Sequence, residues 1–171
     1  MNSQAHSAPV YVLSDTTRVR FDKEVAKYPA DQKVSAVMAC LAIVQQEQGW
    51  VNASSEQVIG DYLGMPAIAV KEVTTFYNMY NQRPVGKYKL NVCTNLPCQL
   101  RDGQQALNHL CSKLGVEMGG TSADGLFTVQ QSECLGACAD APVMLVNDRS
   151  MCSYMTNDKL DQLIDGLRQA K

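Results

Sequence analysis

The second half of the chain opens with the stretch Lys87-Tyr-Lys-Leu-Asn-Val-Cys93-Thr-Asn-Leu-Pro-Cys98. Apolar and polar residues alternate from Tyr88 to Val92, which is typical of a β-strand with two different faces. Cys93 stands at the end of this strand, and Cys98 follows it after a gap of four residues. The stretch therefore predicts a strand that carries a C-x4-C pair to one end of a sheet.

A second cysteine pair, Cys134-Leu-Gly-Ala-Cys138, follows the next predicted strand, residues 126–130. Thirty-five residues separate Cys98 from Cys134. Because a strand–helix–strand unit places its two strands parallel, the loops that follow them should lie at the same end of the sheet. The two cysteine pairs are therefore expected to converge.

Two close pairs of thiolates suit a 2Fe–2S cluster, in which each iron takes two terminal cysteine ligands. Four thiolates and two sulfides outweigh the charge of two ferric ions, so reduction adds an electron to an anionic site. Gly136 in the second loop would let backbone N–H groups approach the sulfurs and offset this charge. The spacing favours a cluster held by four cysteines: Cys93, Cys98, Cys134 and Cys138.

Three other interpretations of the four cysteines stay open at this point. A structural zinc site also uses four cysteines, although zinc knuckles favour C-x2-C pairs. A thiol–disulfide enzyme favours a single C-x-x-C motif. Buried cysteines also occur by coincidence, but two pairs in loops at strand ends argue against it.

The remaining candidate residues are predicted to be structural. Cys40 and Cys111 lie on apolar faces of predicted helices and Cys152 lies in a predicted strand, where free cysteine packs as a small hydrophobe. His109 is predicted to lie on a helix surface rather than to bind a metal. The sequence has neither G-x-G-x-x-G nor a Walker loop, so NADH or flavin would have to be bound by another chain.

The first half is predicted to be a helical bundle over residues 16–82, preceded by residues 1–15 as a disordered or loosely attached terminus. Helices are expected at about 17–28 and 31–48, then from 54 and from 66. Ser54-x-x-Gln57 resembles a capping box, and Gly64 ends that helix. The last helix is expected to carry an apolar stripe formed by Ala69, Val73, Phe76, Tyr77 and Tyr80, with Phe76 and Tyr77 in the core or in an interface.

The break at residues 83–86 separates this half from a predicted second domain, residues 86–171. Its predicted order is strand, helix, three strands and a helix, with strands at 87–93, 126–130, 142–146 and 151–155. Thr156 is expected to cap the last helix. This is the order of a thioredoxin-like domain, so the fold class is α+β.

The composition narrows the possible functions. The chain has 171 residues and a net charge of −2, which gives no electrostatic sign of nucleic acid or an anionic membrane as partner. Its longest nearly apolar run, 34–44, is broken by Ser35 and is far short of the roughly 20 residues of a membrane span. Residues 1–9 show no secretory signal. Seven cysteines in a chain expected in the cytosol point to metal or redox chemistry rather than to disulfides.

Several motifs together resemble one family, the 24 kDa subunit of bacterial NADH–quinone oxidoreductase, which is respiratory complex I. The resemblance covers nearly the whole chain after the first 15 residues. The motifs are Gln45-x-x-x-Gly49-Trp50-Val51, Val73-Thr-Thr-Phe-Tyr77, Cys93-x4-Cys98-Gln-Leu-Arg101, Asp124-Gly-Leu-Phe-Thr128, Glu133-Cys-Leu-Gly-Ala-Cys138 and Ala141-Pro142. Some relatives carry glycine where Asp102 stands.

The resemblance implies a helical region followed by a thioredoxin-like 2Fe-2S ferredoxin domain, with one cluster ligated by Cys93, Cys98, Cys134 and Cys138. It implies an electron-transfer subunit that accepts single electrons from FMN of a partner subunit, which also binds NADH. That assembly belongs to the peripheral arm at the cytoplasmic face of the inner membrane, without direct membrane insertion. The chain would be an enzyme subunit with no catalytic residue of its own.

The sequence leaves two alternatives to this function open. One is the equivalent diaphorase subunit of an NAD-linked hydrogenase or formate dehydrogenase, which carries a similar chain. The other, of a different class, is a zinc-stabilised interaction module with no redox role.

Overall fold

A computed structural model describes residues 10–170 of the chain. The chain divides into two compact units, the first ending at Pro84 and the second beginning at Val85. No helix among the described residues is long and apolar enough to cross a membrane.

The first unit is built from helices. They are α1 (Asp15–Val25), a 3-10 helix (Ala30–Ala36), α2 (Val37–Gln48), α3 (Ala53–Leu63) and α4 (Ala67–Phe76). The predicted helix 31–48 is thus 3-10 in its first part, where Gln32 leaves helical geometry. The core of this unit is apolar, with Phe21, Cys40, Leu41, Val44, Ile59, Leu63 and Val70 among its fully buried members.

The predicted capping box on α3 is wrong by two residues. Asn52 is the N-cap: its side chain accepts from the Ser55 backbone N–H at 2.8 Å, and the Ser55 hydroxyl oxygen accepts from the Asn52 N–H at 2.9 Å. Ser54 instead accepts a hydrogen bond from the Tyr11 N–H at 2.9 Å. Gly64 ends the helix in the left-handed conformation, as predicted.

Part of the predicted N-terminal segment is attached to the bundle. Besides its contact with Ser54, Tyr11 donates its hydroxyl proton to the Glu47 carboxylate at 2.9 Å. Ser14 then caps α1, which begins two residues earlier than predicted. Residues 1–9, which make up most of that prediction, lie outside the described residues.

The predicted apolar stripe of α4 is wrong at its C-terminal end. The helix ends at Phe76, whose side chain is 79% exposed, and Tyr77 leaves helical geometry. Tyr80 is buried, but it lies beyond the helix and donates its hydroxyl proton to the Met38 carbonyl at 2.8 Å. The stripe therefore continues in sequence past the point where the helix stops.

The second unit contains a four-stranded sheet with the order β2-β1-β3-β4. The strands are β1 (Tyr88–Cys93), β2 (Phe127–Ser132), β3 (Met144–Val146) and β4 (Ser150–Cys152). β1 pairs with β2 in parallel, whereas β3 is antiparallel to both β1 and β4. This is the α+β, thioredoxin-like arrangement that the sequence predicted, with shorter third and fourth strands.

Two long helices, α6 (Gly103–Leu114) and α7 (Asn157–Gln169), supply the helical part of this core. Thr156 caps α7 as predicted. A short helix that the sequence did not predict, α5 (Leu96–Gln99), lies between β1 and α6. The core of the unit consists mainly of Leu90, Val92, Leu107, Leu110, Phe127, Val129, Met144, Leu160 and Ile164.

The polar face of β1 is buried, as its apolar face is. The Lys89 side chain is only 3% exposed, and its Nζ lies 2.5 Å from the Asp148 carboxylate. The Asn91 amide donates to the other oxygen of Asp148 at 2.5 Å. Asp148 lies in the turn between β3 and β4, so this network ties the hairpin to the central strand.

Replacing Asp148 by asparagine is expected to lower the free energy of unfolding by about 2 kcal/mol. Breaking a fully buried ion pair costs about 3–5 kcal/mol, and here the carboxylate is one-third exposed, so the loss is smaller. Asparagine tolerates the left-handed backbone of this position, where φ is 56°. Urea denaturation measures the effect.

The matched control is Asp165→Asn, because Asp165 lies 3.9 Å from Lys113 in an exposed pair. That substitution is expected to change stability by less than about 0.5 kcal/mol. Equal losses in the two variants would contradict the role given to the buried network.

Candidate metal centre

The first cysteine pair lies where β1 ends. Cys93 is the last residue of the strand, and Cys98 lies in α5, which begins after the N-cap residue Asn95. Both cysteines are only 1% exposed and pack with Ala141 and Val143 in a small apolar cluster. The first pair is therefore held inside the fold.

Val143 contacts both cysteines of this buried pair through its backbone. Its carbonyl accepts from the Cys93 N–H at 3.1 Å, and its backbone also hydrogen-bonds the Cys98 sulfur. Burial raises the pKa of Cys98, helped by the neighbouring Cys93 thiol, while the Val143 contact acts in the opposite direction. A hydrogen bond that stabilises a thiolate is what a ligand sulfur needs.

The second pair follows β2 and is exposed. The sulfurs of Cys134 and Cys138 are 3.5 Å apart. Two thiolates on one tetrahedral metal ion, with metal–sulfur distances of about 2.3 Å, lie about 3.8 Å apart. The pair thus has the spacing of two ligands of one metal ion.

Gly136 sets the shape of this second loop. Its φ is 79°, a conformation that L side chains rarely adopt, and its N–H points at the Cys134 sulfur at 3.5 Å. This N–H, followed by the hydrogen bond with Cys138, lowers the pKa of Cys134. The same thiol–thiol contact raises the pKa of Cys138.

The two pairs lie at the same end of the sheet. The parallel strands β1 and β2 stop side by side, with Cys93 opposite Ser132. Charge on Cys93 and on Cys138 also contributes to the raised pKa of Cys98. From Val10 to Ala170, no three or more cysteine, histidine or acidic side chains are already gathered around one metal position.

Three hydrogen bonds that the sequence does not predict join the first cysteine loop to the end of β2 and to the second cysteine loop. The Thr94 N–H donates to the Ser132 carbonyl at 3.3 Å, and the Gln131 amide donates to the Thr94 hydroxyl at 2.6 Å. The Asn95 amide donates to the Glu133 carboxylate at 2.5 Å. No sequence signal pairs these residues, because the loops are brought together only by the parallel strands.

The other cysteines and His109 lie outside the two cysteine pairs. Cys40 is fully buried in the first unit, where burial raises its pKa to about 12, which confirms its predicted core position. Cys111 and Cys152 are half-buried against the core of the second unit. His109 contacts Asp161 at 2.7 Å, between α6 and α7.

The donor set fits an iron–sulfur cluster. Protein-bound 2Fe–2S clusters take four cysteine thiolates, two for each iron, and the structure offers two thiol pairs at one end of the sheet, each with a backbone group bonded to one of its sulfurs. Zinc also accepts four thiolates, so the donor set by itself does not choose between the two.

Comparison with known proteins identifies the family. Residues 21–168 match the family model of the thioredoxin-like 2Fe-2S ferredoxin. NADH-quinone oxidoreductase subunit 2 of Thermus thermophilus is 39% identical over 150 residues, which cover 88% of this chain and 83% of that protein. An NADH-quinone oxidoreductase subunit of Rickettsia conorii is 38% identical over 161 residues, which cover 89% of this chain and 96% of that protein.

A similar fold occurs in a larger solved structure, an NAD+-reducing NiFe hydrogenase in its H2-reduced state. The TM-score is 0.65 at 22% identity, and the match covers 75% of this chain but only 22% of the hydrogenase chain. This likeness is one of fold. The family model matches most of this chain, and the two bacterial relatives are more than one-third identical to it over most of its length. The chain therefore belongs to the thioredoxin-like 2Fe-2S ferredoxin family.

Proposed function

We propose that Cys93, Cys98, Cys134 and Cys138 hold one 2Fe–2S cluster, and that the chain is the electron-transfer subunit of an NADH–quinone oxidoreductase. It accepts single electrons from FMN on the partner subunit that binds NADH. The observation that carries this proposal is the placement of two thiol pairs at the ends of parallel strands in a member of this ferredoxin family.

The residues of this chain have distinct tasks in the proposed site. The buried pair, Cys93 and Cys98, anchors the site in the fold, while the exposed pair lies at the surface. Backbone groups of Gly136 and Val143 favour thiolate character at the two sulfurs that they contact. When bound, the cluster supplies one-electron redox chemistry, whose potential depends on such hydrogen bonds and on solvent exposure.

The proposal places the electron donor on another chain. The sequence has neither the G-x-G-x-x-G motif nor the Walker motif with which many proteins bind the phosphates of such cofactors. Leu96 and Leu100 are exposed on either side of Cys98, and exposed apolar side chains beside a redox site support contact with a partner subunit. The remaining partners would be other peripheral-arm subunits, at the cytoplasmic face of the inner membrane.

The relatives favour NADH–quinone oxidoreductase over the diaphorase module of a hydrogenase or formate dehydrogenase. The two relatives at 38–39% identity are named as subunits of NADH-quinone oxidoreductase. The likeness to the hydrogenase, at 22% identity, concerns the fold.

Metal analysis of the purified full chain, reconstituted with iron and sulfide under anaerobic conditions, tests the cluster. We expect about two irons and two sulfides per chain and a spin-half EPR signal after reduction with dithionite. One zinc per chain with a silent spectrum would overturn the proposal and favour the zinc-stabilised module. The source of the electrons is tested by adding NADH with and without the FMN-binding subunit. We expect NADH to reduce the cluster only when that subunit is present.

A further inference from the structure

Glu133 lies directly beside the candidate metal centre. It stands between β2, which ends at Ser132, and the ligand Cys134. Its carboxylate accepts a hydrogen bond from the Asn95 side chain at 2.5 Å. Asn95 in turn lies in the loop between Cys93 and Cys98. The contact therefore joins the first cysteine loop to the residue that directly precedes the ligand Cys134.

The Asn95 side chain performs two tasks with its two ends. Its oxygen accepts from the Leu96 N–H at 3.2 Å and so caps α5, the helix that carries Cys98. Its amide N–H donates to Glu133. The orientation of the first loop is therefore coupled to the position of the Glu133 carboxylate in the second loop.

The carboxylate is also a charge close to a ligand sulfur. Glu133 directly precedes the ligand Cys134 in the chain. Its carboxylate is held by Asn95, which lies between Cys93 and Cys98, so this negative charge stays beside both cysteine loops. Since reduction of a 2Fe–2S site adds an electron to an anionic group, a neighbouring negative charge disfavours the reduced form.

We propose that Glu133, held by Asn95, is a positioning residue that couples the two cysteine loops and lowers the reduction potential of the site. This inference rests on the proposed function, because it concerns the cluster that the four cysteines would hold. The hydrogen bond fixes the loop, and the charge acts on the redox equilibrium. These two effects can be separated by substitution.

Two substitutions remove one effect each. Glu133→Gln removes the charge and keeps an oxygen that accepts from Asn95. Asn95→Ala removes the hydrogen bond and keeps the charge, and Asn95→Ser serves as a second variant that retains an oxygen to cap α5. Glu117→Gln is the matched control, because it removes the same charge from an exposed carboxylate at a distance from the cysteines. The N-terminal end of α6 follows the Cys98 loop, and Glu117 lies just beyond the C-terminal end of that helix.

The experiment measures the midpoint potential by EPR-monitored titration of the reconstituted full chain with dithionite, which supplies the electron. We expect Glu133→Gln to shift the one-electron equilibrium about threefold toward the reduced form, roughly 30 mV. The shift should shrink in high salt, because an exposed charge is screened. Asn95→Ala and Asn95→Ser should lose cluster a few-fold faster than the wild type.

A second measurement needs no cluster. Hydrogen exchange in the metal-free full chain should be faster for residues 133–138 in the Asn95 variants and unchanged in Glu133→Gln. The inference is overturned if Glu133→Gln has the same midpoint potential as Glu117→Gln. It is also overturned if both Asn95 variants keep the hydrogen-exchange rates and the cluster retention of the wild type. If the wild type binds no cluster but the Asn95 variants still loosen this loop, the proposed function fails while the positioning contact stands.

Discussion

Replacing Cys138 by alanine is expected to leave a folded chain that holds almost no cluster. Cys138 is exposed, so removal of its sulfur takes little from the core. It is half of the pair whose sulfurs lie 3.5 Å apart, and without it one iron loses one of its two protein ligands. Loss of partners that merely orient ligands costs about 10- to 100-fold in metal affinity, and loss of a ligand should cost at least as much.

Alanine is preferred to serine here because a serine oxygen could take the place of the sulfur. Iron and sulfide content after reconstitution measures the loss, and circular dichroism checks the fold. Cys93→Ala should also lose the cluster, but Cys93 is buried, so part of its effect would come from the cavity left behind.

Cys111→Ala is the matched control, because Cys111 is a half-buried cysteine of the same unit that lies outside the two pairs. It should retain the iron content of the wild type. An iron content that falls equally in Cys138→Ala and Cys111→Ala would show that the ligands have been chosen wrongly.

The site could be predicted from the sequence as far as local order allowed. A strand that ends in a cysteine, a helix and a second strand that ends before another cysteine pair are enough to place both pairs at one end of a parallel pair of strands. The burial of Cys93 and Cys98 and the exposure of Cys134 and Cys138 could not be predicted in this way. That difference depends on Ala141 and Val143, which reach the first pair from the loop before β3.

Errors in the helical half arose where two local patterns competed. Asn52-x-x-Ser55 and Ser54-x-x-Gln57 both fit an N-cap, and the choice depends on where the preceding chain turns, which only tertiary contacts decide. In α4 the apolar spacing continues to Tyr80, but the backbone leaves the helix at Tyr77. Periodicity predicts which side of a helix is apolar, and it does not predict where that helix ends.

The polar residues of β1 show a third limit. Alternation of polar and apolar residues indicates two faces, and the structure has two faces, but both are buried. Lys89 is buried because Asp148, far along the chain, supplies its carboxylate. Asp102, by contrast, lies at a φ of 67°, in the left-handed region that aspartate tolerates better than most residues.

Replacing Gly136 by alanine is expected to impair the cluster more than it impairs the fold. The position has a φ of 79°, and nothing lies within 4 Å of an added Cβ, so the cost comes from the backbone alone. Left-handed backbone costs an L-residue about 1–2 kcal/mol. The loop should relax toward negative φ and draw the Gly136 N–H away from the Cys134 sulfur.

The lost hydrogen bond has a consequence for the metal centre. The Gly136 N–H is the main cause of the lowered pKa of Cys134, so its withdrawal lets that pKa rise and leaves a smaller fraction of the sulfur as the thiolate that binds iron. Because this N–H also offsets the negative charge of the site, any cluster that remains should be harder to reduce. We expect cluster retention to fall roughly 10-fold or more, by analogy with other changes to groups that support metal ligands.

Gly125→Ala provides a closely matched control. Gly125 has a φ of 69°, also has nothing within 4 Å of an added Cβ, and lies in the turn before β2, at the opposite end of that strand from the cysteines. Both variants should therefore lose similar stability in urea denaturation, while only Gly136→Ala loses iron and sulfide. If Gly125→Ala lost cluster to the same extent, the effect would be one of general destabilisation, and the part assigned to the Gly136 N–H would be wrong.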